Sequence, residues 1–187
     1  MRFGRRFVSF CAGLLICCAG ISATTLEKMP VERMTRIAQV ILRARCISNL
    51  TRWDAGEIWT FTTFDVAETW KGLATEQVTV RLLGGTVGSL TSTVSGVPRF
   101  RTGEEVILFL EPTARGDFTV VSWQQGTFRV GRDPRSGAEI VTQDTAAVET
   151  FDARTRQFKA SGIRDLPLDL FRAQVRSALA EQAGGKQ

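Results

Sequence analysis

Between Val40 and Thr142 strand-like segments follow one another with only turns between them. No helical crossover interrupts the series, and this limits the fold to a barrel or a sandwich. Val40–Leu50 and Glu57–Trp70 flank a turn at Asp54-Ala55-Gly56, with Trp53 and Trp59 on either side. Lys71-Gly72 ends the second strand. Gln77–Leu83 then alternates, with Val78, Val80 and Leu82 inward and Thr79 and Arg81 outward. Val106–Leu110 is an unbroken apolar run, the pattern of a strand buried on both faces. Asp117–Trp123, Gly126–Val130 and Glu139–Thr142 complete the set, the last two joined by the turn Asp133–Gly137. Phe61 and Phe64 lie three apart, so a two-residue period cannot put both on one face. That spacing predicts a bulge near Thr62-Thr63, which would coil the strand as small barrels require. Gly84–Pro98 is irregular and reads as a mobile excursion or a weak edge hairpin.

The flanks differ. Pro30 opens a short helix over Val31–Ala38, with Val31, Met34, Ile37 and Ala38 at helical spacing. Pro167–Gln182 is amphipathic through Leu168, Phe171, Val175 and Leu179, with Asp169 near its start and Gly184 just beyond its end. Ala146–Ile163 reads as a polar connector. The expected organisation is a leader over residues 1–23, a β-barrel domain over 24–145, and a connector with a C-terminal helix over 146–187.

The leader has the order of a secretory signal. Arg2, Arg5 and Arg6 precede the apolar run Phe7–Ile21, and Ile21-Ser22-Ala23 offers a small residue for cleavage. An exported protein, periplasmic or extracellular, is expected. Cys17 and Cys18 raise the alternative of a lipid anchor, but neither follows a small residue. No later segment is apolar enough to span a bilayer. Cleavage after Ala23 leaves 164 of the 187 residues, enough for one domain with its own core. Three of the 24 basic residues leave with the leader and none of the 19 acidic ones, so the net charge falls from +5 to +2. That balance suits an ordinary solvated surface, and no nucleic-acid partner is expected.

Three of the four cysteines lie in the leader, which leaves Cys46 without an intramolecular partner. It shares strand parity with Val40, Leu42 and Ala44 and reads as a small core residue. The chain contains no histidine and no tyrosine. Ser-His-Asp and Cys-His catalysis and a His-ligated zinc are therefore excluded. None of Lys28, Lys71, Lys159 and Lys186 stands in a Ser-x-x-Lys spacing. Asp65 and Glu68 are candidates for paired-carboxylate hydrolysis, but three residues apart on a regular strand they face opposite sides. Leu83–Gly88 is glycine-rich but lacks the Gly-Lys-Ser/Thr ending of a phosphate loop. Asp133 and Glu139 flank a turn with too few oxygen ligands for calcium. No metal or cofactor is expected. Trp53, Trp59, Trp70 and Trp123 read either as an aromatic platform or as core and rim residues. The binding candidates are Trp53, Trp59, Gly84, Gly85 and Gly88, all in turns or loops carried by the strands.

Three segments carry a resemblance. Ile37–Arg45 resembles the "ADVIVRGRV" opening of many exported bacterial proteins. Phe64–Gly72, with Val66 and Trp70-Lys71-Gly72, resembles their "F-x-V-x-x-x-x-K-G" strand end, and Gly103–Leu110 resembles their "GEEYLLFL" strand. In this order the segments are similar to the netrin-like, or tissue-inhibitor-of-metalloproteinase-like, OB barrel over about Ile37–Val130. The resemblance implies an OB-like barrel. With the flanking segments, the expected fold is mainly β: a small closed or partly open OB-like barrel with a short N-terminal helix and a C-terminal helix. Inhibitors of that family insert a disulfide-pinned N-terminal cysteine into a protease's zinc site. The expected mature end here is Thr24-Thr25-Leu26, so no inhibitory residue carries over. The expected function is an exported, non-catalytic domain that binds a protein or a cell-envelope component. The alternatives are a netrin-like protease inhibitor and a carboxylate-based hydrolase.

Overall fold

The computed structural model describes residues 27–147, 149–152, 155–160 and 162–184; the expected leader lies outside the described residues. The elements run α1 (Val31–Ile37), β1 (Val40–Asp54), β2 (Glu57–Lys71), β3 (Gln77–Leu83), β4 (Gly85–Val87), β5 (Leu90–Ser92), β6 (Glu105–Pro112), β7 (Phe118–Val120), β8 (Thr127–Arg132), β9 (Glu139–Gln143), β10 (Glu149–Asp152), β11 (Gln157–Ala160), β12 (Leu166–Pro167) and α2 (Leu168–Gly184). Five strands close a ring in the order β1-β2-β3-β7-β6 and back to β1. All its pairings are antiparallel except β3 with β7, which meet in parallel at Val80 and Phe118. That one pair closes the ring, so the OB-like barrel is only partly closed there.

Strand β6 organises the rest, because its two faces feed two cores. Val106, Leu108 and Leu110 point into the barrel with Leu42, Ala44, Cys46, Phe64, Val80 and Phe100. Ile107 and Phe109 point outward and join Ile41, Phe128, Val141, Met34, Phe171 and Val175. This is the physical basis of the unbroken apolar run: each alternate residue meets a different core. One edge of β6 pairs with β1. The other is shared, β8 taking Val106–Leu108 and β7 taking Leu110–Pro112. The chain passes from β7 to β8 through a 3₁₀ turn at Trp123–Gly126. A Cβ at Gly126 would run into the Val121 carbonyl, so glycine is required for this close crossing.

Both helices cover the second core. α2 buries Leu168, Phe171, Val175 and Ala178, while α1 buries Val31, Met34 and Thr35. Ile37, expected on the apolar face of α1, is 41% exposed, and Thr35 takes its place inside. Phe171 sits in an aromatic cluster, 4.5 Å from Phe128 and 6.4 Å from Phe109 between ring centroids. The segment read as a connector contains the β10–β11 hairpin, and the Gly84–Pro98 excursion contains the β4–β5 hairpin.

One bulge lies beside Thr63, near where the phenylalanine spacing predicts it, but its extra residue is on β1 and not on β2. The pairing skips Ile47 on β1, between Cys46↔Phe64 and Ser48↔Thr63, and skips Ala67 and Trp70 on β2. Phe64 is fully buried with Thr60 and Thr62 in its row. Phe61 needs no place in that row. It lies on the outer face, where Arg52 stands 4.3 Å and Arg81 5.6 Å from its ring centre. Cationic side chains satisfy an outward aromatic that periodicity alone assigns to the core. Cys46 is a free, fully buried thiol, and burial pushes its pKa up.

Candidate functional site

Past the β1–β6 pairing, β1, β2 and β3 continue as a three-stranded arm, whose β1–β2 hairpin ends at the Asp54–Glu57 turn. Along the inward face of this arm the side chains change from apolar to polar. Cys46 and Phe64 give way to Asn49 opposite Thr62 and Thr51 opposite Thr60. The β4–β5 hairpin folds over this face and leaves a pocket of about 370 Å³. Asn49, Thr51, Thr60 and Gly85 lie on one side, Thr86, Thr91, Ser92 and Thr93 on the hairpin side, and Arg99 and Phe100 on the segment that leads from β5 back to β6. The lining holds one cation, Arg99, and no carboxylate.

The hydrogen bonds order this lining. Thr60 Oγ1 donates to the Gly84 carbonyl at 2.7 Å and accepts from Arg99 Nη1 at 3.3 Å. Its proton is committed, so the 3.1 Å contact between Thr51 and Thr60 hydroxyls is a donation from Thr51. Thr62 Oγ1 donates to Asn49 Oδ1 at 2.7 Å, while Asn49 Nδ2 donates to the Phe100 carbonyl at 3.1 Å. Arg99 Nη2 reaches the Ser92 carbonyl at 3.4 Å. Arg99 is exposed and forms no ion pair among the described residues.

The sequence candidates separate over this arm. Gly84 and Gly85 enter the site. Gly84 has φ +88°, and a Cβ there would stand 2.7 Å from Arg99 Nη2. Gly85 has φ +136°, and a Cβ would overlap Thr51 Cγ2 and Thr60 Oγ1. Gly88 has φ +60° with open space around it, at the tip of the β4–β5 hairpin. We expect Gly85→Ala to destabilise the fold by about 1–3 kcal/mol, through left-handed strain and overpacking. Gly88→Ala, strained but unobstructed, should cost about 1 kcal/mol. Urea unfolding of the two variants checks the order, and equal losses would mean that β4 does not pack on the arm.

Trp53 and Trp59 take opposite faces. Trp53 pairs with Ile58, two residues beyond Thr51 on the pocket side, and is 52% exposed. Trp59 is on the outer face, its ring stacked under Arg81 at 3.9 Å. Arg81 is 5% exposed and ion-paired to Asp54 at 2.7 Å, which also holds Arg115 at 2.9 Å. Trp59 thus belongs to a stack that holds the tip of the arm. Trp70 lies against Phe171 and the second core, while Trp123 is 39% exposed beside Gly96. The four rings form no common platform.

The Asp65–Glu68 pair also differs from its strand-parity reading. The bulge at Ala67 shifts the register, so Asp65 opposes Arg45 and Glu68 opposes Arg43, both on the outer face. Glu68 is occupied there. It accepts from both Arg43 and Arg172 and from the Trp70 indole at 3.0 Å. Among the described residues no cluster of three His, Cys, Asp or Glu side chains is placed to hold a metal. No described helix is long and apolar enough to cross a membrane.

Sequence reasoning passed over Asn49, Thr51, Thr60, Thr62 and Arg99. One signal was present: threonine replaces apolar residues at alternate positions, Thr60 and Thr62, in a row that ends in Phe64. The five-stranded ring closed through the parallel β3–β7 pair, with its two helices, is a small, partly closed OB-like barrel. Neither a protein-family model nor a curated protein matches the sequence.

Proposed function

We propose that this is an exported, non-catalytic binding domain whose ligand lies in the pocket between the β1–β2 arm and the β4–β5 hairpin. One observation carries the reading: a concave surface rich in hydroxyl groups is built from four separate stretches, β1, β2, the β4–β5 hairpin and Arg99–Phe100, and holds no acid–base pair. Its volume falls in the range of about 300–1,000 Å³ usual for small-ligand sites. The basic, apolar and small-residue order of the leader supports export. Glu68, tied into ion pairs, is poorly suited to hydrolysis because a general acid or base must be free to move a proton.

The test uses the mature protein immobilised against cell-envelope extract, beside a variant with residues 86–91 replaced by a tight turn. A component retained by the parent and lost from the shortened variant is the expected result. Retention by both, or by neither, overturns the pocket assignment. Parallel hydrolase and protease-inhibition panels address the other two classes, and turnover abolished by a single carboxylate substitution would sink the non-enzyme reading. The secreted product should have an intact mass beginning at Thr24. Acyl chains on Cys17 or Cys18 would make it an anchored lipoprotein instead.

A further inference from the structure

We infer that the pocket binds a saccharide unit carrying a carboxylate, an inference that rests on the binding-domain reading above. The pocket's hydrogen-bond inventory selects this class. Thr60 Oγ1 is saturated: it donates to Gly84 O and accepts from Arg99 and Thr51. Thr51 has spent its proton on Thr60, so it faces the pocket with lone pairs only. A ligand meeting Thr51 must bring an O–H or N–H donor. Arg99 presents the reverse. Its guanidinium carries five N–H groups, of which two are used, at 3.3 and 3.4 Å, and among the described residues no carboxylate pairs with it.

The site therefore asks for hydroxyl donors and an anionic acceptor on one molecule. Inorganic phosphate or acetate supplies the anion without an array of donors. A neutral sugar supplies donors but leaves Arg99 without a counter-charge. A sugar acid supplies both, and its carboxylate matches the planar fork of Arg99. Thr86, Thr91, Ser92 and Thr93 on the hairpin add rim hydroxyls that take either role.

The experiment titrates the mature, isotope-labelled protein with short oligogalacturonate and with N-acetylmuramic acid, each beside its methyl ester, and follows amide shifts. We expect one or both acids to shift amides across Gly84–Ser92 and around Arg99. The matching ester should bind about tenfold more weakly, the loss of one charge-assisted bond. Arg99→Gln should bring the acid down to the affinity of its ester. Thr51→Val should weaken acid and ester alike, and Thr51→Ser, which keeps the hydroxyl, should restore both. Arg101→Gln, a nearby exposed cation outside the lining, should change nothing. Equal binding of acid and ester, or an unaltered acid affinity in Arg99→Gln, overturns the assigned charge. Absence of binding to both acids at millimolar concentration overturns the saccharide class. The extract experiment then separates the two failures: if the shortened variant still loses a component that the parent retains, the pocket stands with another ligand.

Discussion

Phe171→Ala should lower the stability of the domain by about 3–5 kcal/mol, the cost of removing a fully buried phenylalanine and leaving its cavity. Phe171 is completely buried and touches both cores' shared wall through Phe109 and Phe128. The site cannot collapse easily. Its neighbours stand on β6, β8 and β2, which the sheet pairings hold in place. The loss is a large fraction of the roughly 5–15 kcal/mol that keeps a domain folded. The thermal midpoint should fall by about 10 °C or more. Leu170, one position earlier and 59% exposed, provides the control. Leu170→Ala should stay within about 0.5 kcal/mol. Differential scanning calorimetry on both variants decides the point. A small effect at Phe171 would mean that α2 is not docked on the barrel in solution.

Arg43→Met should produce the second largest loss, about 2–3 kcal/mol at neutral pH. The Arg43 side chain is 12% exposed and stands among Glu68, Glu105 and Glu139. Burial opposes its charge, but the hydrogen bonds it donates to Glu139 and Glu105 prevail and raise its pKa. The three carboxylates come from β2, β6 and β9, so one guanidinium fastens three strands on the outer barrel face. Removing it leaves like charges facing one another. The loss stays below the 3–5 kcal/mol typical of breaking a fully buried pair, because the carboxylates remain 24–38% exposed. Glu68 also keeps Arg172, at 2.9 Å.

The pH dependence follows with a definite sign. The hydrogen bond from Arg43 holds the Glu139 carboxyl below its ordinary range. Asp133 is held down as well, by the backbone N–H groups of Ser136 and Arg135 and the Ser136 hydroxyl. A depressed carboxylate stabilises the fold above its unfolded pKa, and that contribution disappears as pH falls through the folded value. Parent stability should therefore decline on acidification below about pH 4.5. In Arg43→Met the Glu139 carboxyl loses the hydrogen bond that holds it down, so that contribution is absent from the variant and the gap between variant and parent should narrow over the same range. Urea midpoints at pH 7 and pH 3.5 measure it. A gap that is the same at both values would place the loss in packing rather than in charge.

The order of the strands and their turns was legible from local chemistry. The Asp54-Ala55-Gly56 and Asp133–Gly137 turns carry residues that accept left-handed or tight backbone, and they sit where the β1–β2 and β8–β9 hairpins turn. Val106–Leu110 announced a doubly buried strand because no polar residue interrupts it. Cys46 followed its parity row into the core. Each of these signals is a property of a short window, and a short window is what hydrophobic periodicity reads.

What the tertiary structure decided depends on partners far apart in the chain. The bulges at Ile47, Ala67 and Trp70 arise from how β1 must bend to pair with both β2 and β6, and a single strand's pattern does not contain its neighbour's register. The bulge at Ala67 is what turned Asp65 and Glu68 to one face, and the cations over Phe61 are what kept that ring outside. The pocket is of the same kind. Thr51, Thr60, Gly85 and Arg99 come from four stretches whose meeting depends on the hairpin folding back over the arm. Arg99 has an ordinary local sequence, and only long-range packing places its guanidinium beside the Thr60 hydroxyl. Short-range patterning thus determined the strands and the core residues of β6, while non-local pairing determined the register, the charge network and the site.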